Sequence, residues 1–168
     1  IKSIGHGATT EKDMESDEEV WRTILDLTQE IGYKLKKNHL AARGIQINVR
    51  DKNLFGCQYQ MKLEYMTQST LFLAQAAKLL FFKKHRFTTP LRSITVRAID
   101  LVPEDTPQQL NLFAGYDKQD DIVRLESAVD RLRERFGNKI VVPASLMEKS
   151  CRPTLSTDFP KMPAPMYH

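Results

Sequence analysis

Residues 44–64 read GIQINVRDKNLFGCQYQMKLE, and their period of two decides the fold class. Ile45, Ile47 and Val49 alternate with Gln46, Asn48 and Arg50, which predicts a strand with one apolar and one polar face. Residues 58–64 repeat the pattern, with Tyr59, Met61 and Leu63 set against Gln58, Gln60, Lys62 and Glu64. The turn between them, Asp51 to Gly56, makes the pair a hairpin. A hairpin apolar on one side only needs a layer of helix to cover that side.

That layer is legible on either flank. Upstream, Val20, Ile24, Leu27, Ile31 and Leu35 fall at three- and four-residue steps and predict a helix over 17–38. Asp17 is its expected N-cap; acids crowd its first turn and Lys34, Lys36 and Lys37 its last, as the helix dipole favours. Downstream, Thr67 to Ser69 offer caps for a second helix over 70–85. After Pro90 comes another strand, with Ile94, Val96 and Ala98 opposite Ser93, Thr95 and Arg97. Residues 2–10, KSIGHGATT, make a first extended segment. The expected fold is α+β: a β-α-β-β-α-β two-layer sandwich, a four-stranded sheet with two helices on one face.

The chain has 168 residues, 41% hydrophobic and 27% charged, enough for one core and an appendage. Four segments are expected: a domain over 1–102, a linker over 103–116, a helix and short strand over 117–142, and a Pro-rich flexible tail over 143–168. Residues from Val102 to Gln108 carry the linker composition. Within 117–136, Ile122, Leu125, Val129, Leu132 and Phe136 form an apolar stripe, and residues 139–142 look like a short strand. The stretch from Leu71 to Phe82 is broken by Gln75 and Lys78 and is too short to span a bilayer, and no secretion leader opens the chain. Opening on Ile1 and not Met, the sequence reads as a piece of a longer protein.

The net charge of +4 hides a segregation. Residues 31–99 hold thirteen Lys and Arg against Asp51 and Glu64 alone. Part of that excess falls on the polar faces of the strands, where it suits a polyanion and not merely a solvated helix. Cys57 and Cys151 have no CxxC partner, and His6, His39, His85 and His168 share no ligand spacing with them. With no metal cluster and no nucleophile–base pair, no catalytic residue, metal site or cofactor is expected in this chain.

KSIGHGATT at 2–10, the strand and helix order after it, and QLNLF at 109–113 together resemble the little-finger domain and tail of bacterial Y-family translesion DNA polymerases, the polymerase IV and V group. RLRERFG at 131–137 is similar to that group's C-terminal extension. The resemblance implies a sheet that lies against primer–template duplex and holds phosphates. Carried over by position, Lys2, Ser3, Gly5, His6, Gly7 and Thr9 would lie on the first contacting strand and Arg92, Ser93, Thr95 and Arg97 on the last. Asn48, Arg50 and Lys62 would join them from the hairpin's polar face. Gln109, Leu110, Asn111, Leu112 and Phe113 would bind the sliding β-clamp.

The same resemblance implies SOS repair work in the bacterial cytoplasm at the nucleoid, without a membrane, and a second replication or SOS partner met by the tail. Any Mg2+ and deoxynucleotide chemistry would belong to domains ahead of Ile1. Two rival readings stand beside it. One is a single-stranded RNA or DNA module of RRM-like topology, which would need aromatics on the polar strand faces. The other is a clamp-binding adaptor that holds no DNA.

Overall fold

The computed structural model describes residues 2–86, 88–107, 117–137 and 140–147, the side chains of 117–120 excepted. The strand predicted at 44–50 extends over Leu40–Asp51 (β2) and pairs antiparallel with Gly56–Thr67 (β3) on one side and Leu91–Pro103 (β4) on the other. Ser3–Met14 (β1) adds outside β4, so the sheet order is β1-β4-β2-β3. Helices α1 (Asp17–Lys37) and α2 (Thr70–Lys84) complete the expected β-α-β-β-α-β sandwich. A third helix, α3, runs Asp117–Phe136, and a 3-10 turn follows at Ala144–Leu146.

The strands outrun the apolar pattern because a ladder continues wherever a neighbour offers N–H and C=O groups. Leu40 pairs with Pro103 and Ala41 with Val102. Val102 and Pro103, where the linker composition begins, are therefore the last rungs of β4. Proline is tolerated at that terminal position, where a missing donor costs least.

The N-cap of α1 is Ser16 and not Asp17. The Ser16 hydroxyl accepts from the Glu19 amide at 3.2 Å, and Glu19 Oε2 accepts from the Ser16 amide at 3.1 Å. This reciprocal capping box satisfies two donors at once, which an Asp17 cap would not.

One face of the sheet is dry. Ile45, Ile47 and Val49 of β2 and Ile94, Val96 and Ala98 of β4 pack under Val20, Ile24, Leu27, Ile31 and Leu35 of α1 and Leu73, Ala77, Leu80 and Phe81 of α2. Each such burial of a large aliphatic side chain is worth about 1.5–3 kcal/mol. Tyr59, Met61 and Leu63 of β3 border this core, half-buried.

In the C-terminal part the apolar stripe stands largely in water, and one expectation, the short strand, changes. The stripe on α3 is not a buried face: Leu125 is 65% exposed, Leu132 43% and Phe136 58%. And the run expected as a strand at 139–142 is, in its described residues 140–142, unpaired bend and coil. The Val141 carbonyl that a ladder would use instead accepts the Arg133 guanidinium, at 2.8 Å from Nη2 and 3.1 Å from Nε. Residues 148–168 of the expected tail lie outside the described residues.

Candidate nucleic-acid interface

Among the described residues, the other face of the sheet carries no helix. Its geometry follows from strand register, because residues directly opposite in neighbouring strands share a face. From β1 through β4 and β2 to β3, the successive rungs are Ser3–Ile99–Gly44–Lys62, Gly5–Arg97–Gln46–Gln60, Gly7–Thr95–Asn48–Gln58 and Thr9–Ser93–Arg50–Gly56. Strands about 4.8 Å apart and rungs about 6.8 Å apart make this face roughly 14 Å across and 20 Å long. A major groove is about 12 Å wide.

The chemistry of these positions is uniform. Arg50, Lys62 and Arg97 are cations; the rest are Ser, Thr, Asn, Gln and Gly, with Ile99 as the one apolar exception. No aromatic residue and no acid stands in these four rungs, and Glu64, exposed on β3 two residues beyond Lys62, is the acid of this face. The Asp100 carboxylate borders the rungs beside Gly44, brought there by a positive φ of 53°. Gln46 Nε2 donates across the strands to Gln60 Oε1 at 3.3 Å.

Four of the seven glycines, Gly5, Gly7, Gly44 and Gly56, lie on this face. Three of them have a local reason, the third being Gly44, whose Cβ would meet Ile99 Cγ1 at 2.9 Å. A Cβ on Gly5 would meet Arg97 Cγ at 2.5 Å, and one on Gly7 would run into the Thr95 hydroxyl. The absent side chains of β1 thus leave room for Arg97 and Thr95 to lean toward the sheet edge. The surface that results has low relief and a guanidinium at one margin.

His6 does not belong to this surface. It alternates with Gly5 and Gly7, so its ring points into the helix layer beside Ile4 and Ala8. Burial holds its pKa below the ordinary 6.5, the nearby Lys34 ammonium pushes it further down, and Glu30 only partly opposes them. Nε2 is buried without a hydrogen-bond partner. The expectation that the His6 side chain meets phosphate is therefore corrected: it faces the wrong way and favours the neutral form.

A family model described as the impB/mucB/samB family C-terminal domain matches residues 1–112. The chain belongs to this family. Similar proteins include DNA polymerase IV of Acetivibrio thermocellus, 36% identical over 137 residues, with 82% of this chain and 34% of the relative covered. DNA polymerase IV 2 of Halalkalibacterium halodurans is 30% identical over 145 residues, covering 83% of this chain and 34% of the relative. This chain spans about a third of the length of these curated relatives. Among solved structures, the little finger domain of PolIV in complex with the β-clamp processivity factor superposes with a TM-score of 0.50 at 17% identity, over 67% of this chain and 99% of that one. That likeness shows the fold.

In this impB/mucB/samB domain, then, the structure gathers Ser3, Gly5, Gly7, Thr9, Asn48, Arg50, Lys62, Ser93, Thr95 and Arg97 on one open face. Lys2 is exposed just ahead of β1. Arg92 is displaced from the rungs. The register shifts between Arg50 and Asp51 where β2 meets β4, and Arg92 lies 3.8 Å from Asp13 at the sheet end. Its carbonyl accepts the Thr10 hydroxyl at 3.2 Å. Residues 109–113, the expected clamp motif, lie outside the described residues.

Gln46, Gln60, Gly44 and Gly56 also line the face, although only its cations and hydroxyls stand out in a motif-based reading. Their signal was parity: they share odd or even numbering with their strand's polar set. A cleft of 350 Å³ lined by Val49, Cys57, Tyr59 and His85 opens among residues of the covered side and takes no part in the open face. Among the described residues no three His, Cys, Asp or Glu side chains converge as metal ligands, and no helix is long and apolar enough to cross a membrane.

Proposed function

We propose that this chain is the DNA-holding C-terminal part of a Y-family translesion polymerase, gripping primer–template duplex through the phosphate backbone. One observation carries the reading: an uncovered sheet face of groove-like width, with three cations among small polar residues and glycines and no acid in its rungs. Such a face can reach phosphates through Arg50, Lys62 and Arg97, and through hydroxyls and amides of Ser3, Thr9, Ser93, Thr95 and Asn48. Recognition by backbone is indifferent to the state of the bases, which suits synthesis across damaged template.

The RNA-binding alternative needs stacking rings on the outward strand positions. Here those positions of β3 are Gln58, Gln60 and Lys62, while Tyr59 lies on the covered side. Residues 109–113 supply Leu110, Leu112 and Phe113 as anchors for a sliding clamp, with Gln109 and Asn111 as polar contacts. The clamp would hold the domain near the primer end and the sheet would hold the duplex. Nucleotide transfer with Mg2+ would be the work of other domains. The protein would work in the bacterial cytoplasm, at the nucleoid, during damage repair.

Fluorescence anisotropy with a primer–template duplex over a salt series tests this. Each cation–phosphate pairing removed lowers the salt slope by about 0.9, so Arg50→Ala with Arg97→Ala is expected to flatten it by nearly 2 and weaken all sequences alike. Removal of residues 109–113 is the matched control: clamp binding goes and the salt series stays. An unchanged slope in the double variant, or preference for single strands, would overturn the backbone grip.

A further inference from the structure

We propose that α3 is a docking surface for an acidic amphipathic helix of a partner protein, set on the helix side of the domain, away from the open sheet face. The starting point is how α3 is held. Glu126 Oε1 accepts the Ser69 hydroxyl at 2.8 Å and the Leu71 amide at 3.0 Å; Oε2 accepts the Thr70 amide at 3.2 Å and Lys36 Nζ at 3.1 Å. Asp130 accepts the same ammonium at 2.7 Å. The first turn of α2 has no acid of its own, so Glu126 supplies across space the carboxylate that a helix N-terminus favours. The Lys36, Glu126 and Asp130 side chains are only 15–20% exposed, so these contacts are poorly screened by solvent. The helix is thus fastened by its carboxylates.

That fastening leaves the apolar stripe over. Leu125, Val129, Leu132 and Phe136 stand four, three and four residues apart, a single line down one side of the helix. Val129 is half-buried, while Leu125, Leu132 and Phe136 keep 65%, 43% and 58% of their surface in water. Helices that need such a stripe for their own packing bury it.

Charge identifies the occupant. The inward carboxylates are engaged, and the outward side of α3 beyond the stripe carries Arg124, Arg131 and Arg135. The Arg135 guanidinium sits 5.1 Å from the Phe136 ring centroid, joining the cationic and apolar parts of the surface. Asp121 and Glu134 are the other acids described on the helix, at its beginning and near its end. An apolar line beside an Arg row matches a helix with apolar residues at i, i+3 and i+4 steps and Asp or Glu along their flank. Because α3 is fixed to α1 and α2, such a partner and a ligand on the open sheet face can be held together.

The test is selection of helical peptides against the full chain. The library has a fixed Leu stripe and randomised flanks. The expected pool is enriched in Asp and Glu. Affinity for a recovered peptide is expected to fall roughly ten-fold or more in Leu132→Ser, the scale of removing one anchor. Arg131→Glu with Arg135→Glu, exposed changes that leave the fold alone, are expected to do the same. Duplex binding is expected to be unchanged in these variants, which separates this surface from the DNA reading. Flanks that come out basic or random would overturn the proposal. So would peptides indifferent to both variants, binding of the arginine row to anionic vesicles in preference to acidic peptides, or self-association broken by Leu132→Ser.

Discussion

On β2, Ile47 and Asn48 are neighbours in the chain and stand in different solvents. Ile47 has no exposed surface and lies among the aliphatic side chains of α1 and α2; Asn48 lies on the open face between Thr95 and Gln58. The whole sheet repeats this division. What differs between the faces is what each requires of its residues. The covered face fixes volume and shape, because a close-packed interior tolerates neither void nor overlap. The open face fixes only charge, size and hydrogen-bonding capacity, so many residues would serve at each rung.

The sharpest way to break that comparison is to truncate each neighbour. Ile47→Ala is expected to cost about 2–5 kcal/mol of stability, the usual range for an aliphatic deletion in a core that relaxes only partly. Asn48→Ala is expected to stay within about 0.5 kcal/mol, as a surface change away from caps and buried networks does. Urea unfolding of both variants reads the difference directly. Equal midpoints would mean that the helix layer does not seal the sheet.

A smaller effect tests whether α3 belongs to the covered side. Glu126→Ala is expected to cost about 1–3 kcal/mol in α3 docking, since it strands the Thr70 and Leu71 amides and leaves Lys36 with Asp130 alone. Glu126→Gln, which keeps acceptor capacity but no charge, is expected to fall between. Amide exchange reports this best: Leu71 and the amides of α3 lose protection while those of β2 and β4 keep theirs. Loss of protection across the whole domain would instead make α3 part of the core.

Much of this division was legible in the sequence, for a physical reason. A strand has a period of two, so one apolar residue per pair of positions announces both faces at once, and Ile45, Ile47, Val49, Ile94, Val96 and Ala98 did so. The same parity placed Arg50, Lys62 and Arg97 outward. It also held for β1, where Ile4 and Ala8 share parity with His6, but a polar ring between two glycines looks like a ligand and that parity is easily passed over. Arg92 shares parity with Ile94, Val96 and Ala98 and not with Ser93, Thr95 and Arg97, so alternation already set it apart, and the register shift leaves it at the sheet end. The N-cap was lost to competition between two adjacent cap formers, decided by which of them has a Glu three residues on. On α3 the stripe was visible and its exposure was not. Docking by Glu126 depends on amides more than fifty residues away, and nothing local to the helix encodes them.

The smallest effect concerns the polar exception on the covered face. His6 and His85 both titrate below the ordinary 6.5, each held down first by burial, with Lys34 adding to the fall at His6 and Asp51 opposing it at His85. His85 stacks 5.0 Å from Phe81 and meets the Tyr59 hydroxyl at 3.4 Å, which keeps it among apolar neighbours. In the folded chain both rings favour the neutral form, whereas the unfolded chain takes up protons at the ordinary value. The unfolded state therefore binds more protons as pH falls below about 6.5, so the stability these rings allow is complete above that pH and is lost as pH drops through their lowered values. Glu104, held below 4.5 by hydrogen bonds from His39 first and Gln68 second, has the opposite role in a separate window. Its stabilisation is complete above 4.5 and is lost only in stronger acid. The expected curve of urea midpoint is flat above about pH 7, declines as pH falls below about 6.5, and declines again below about 4.5. His6→Gln is expected to remove part of the first decline and leave the second untouched. A first decline equally steep in that variant would mean that His6 contributes nothing to it and that His85 carries it alone.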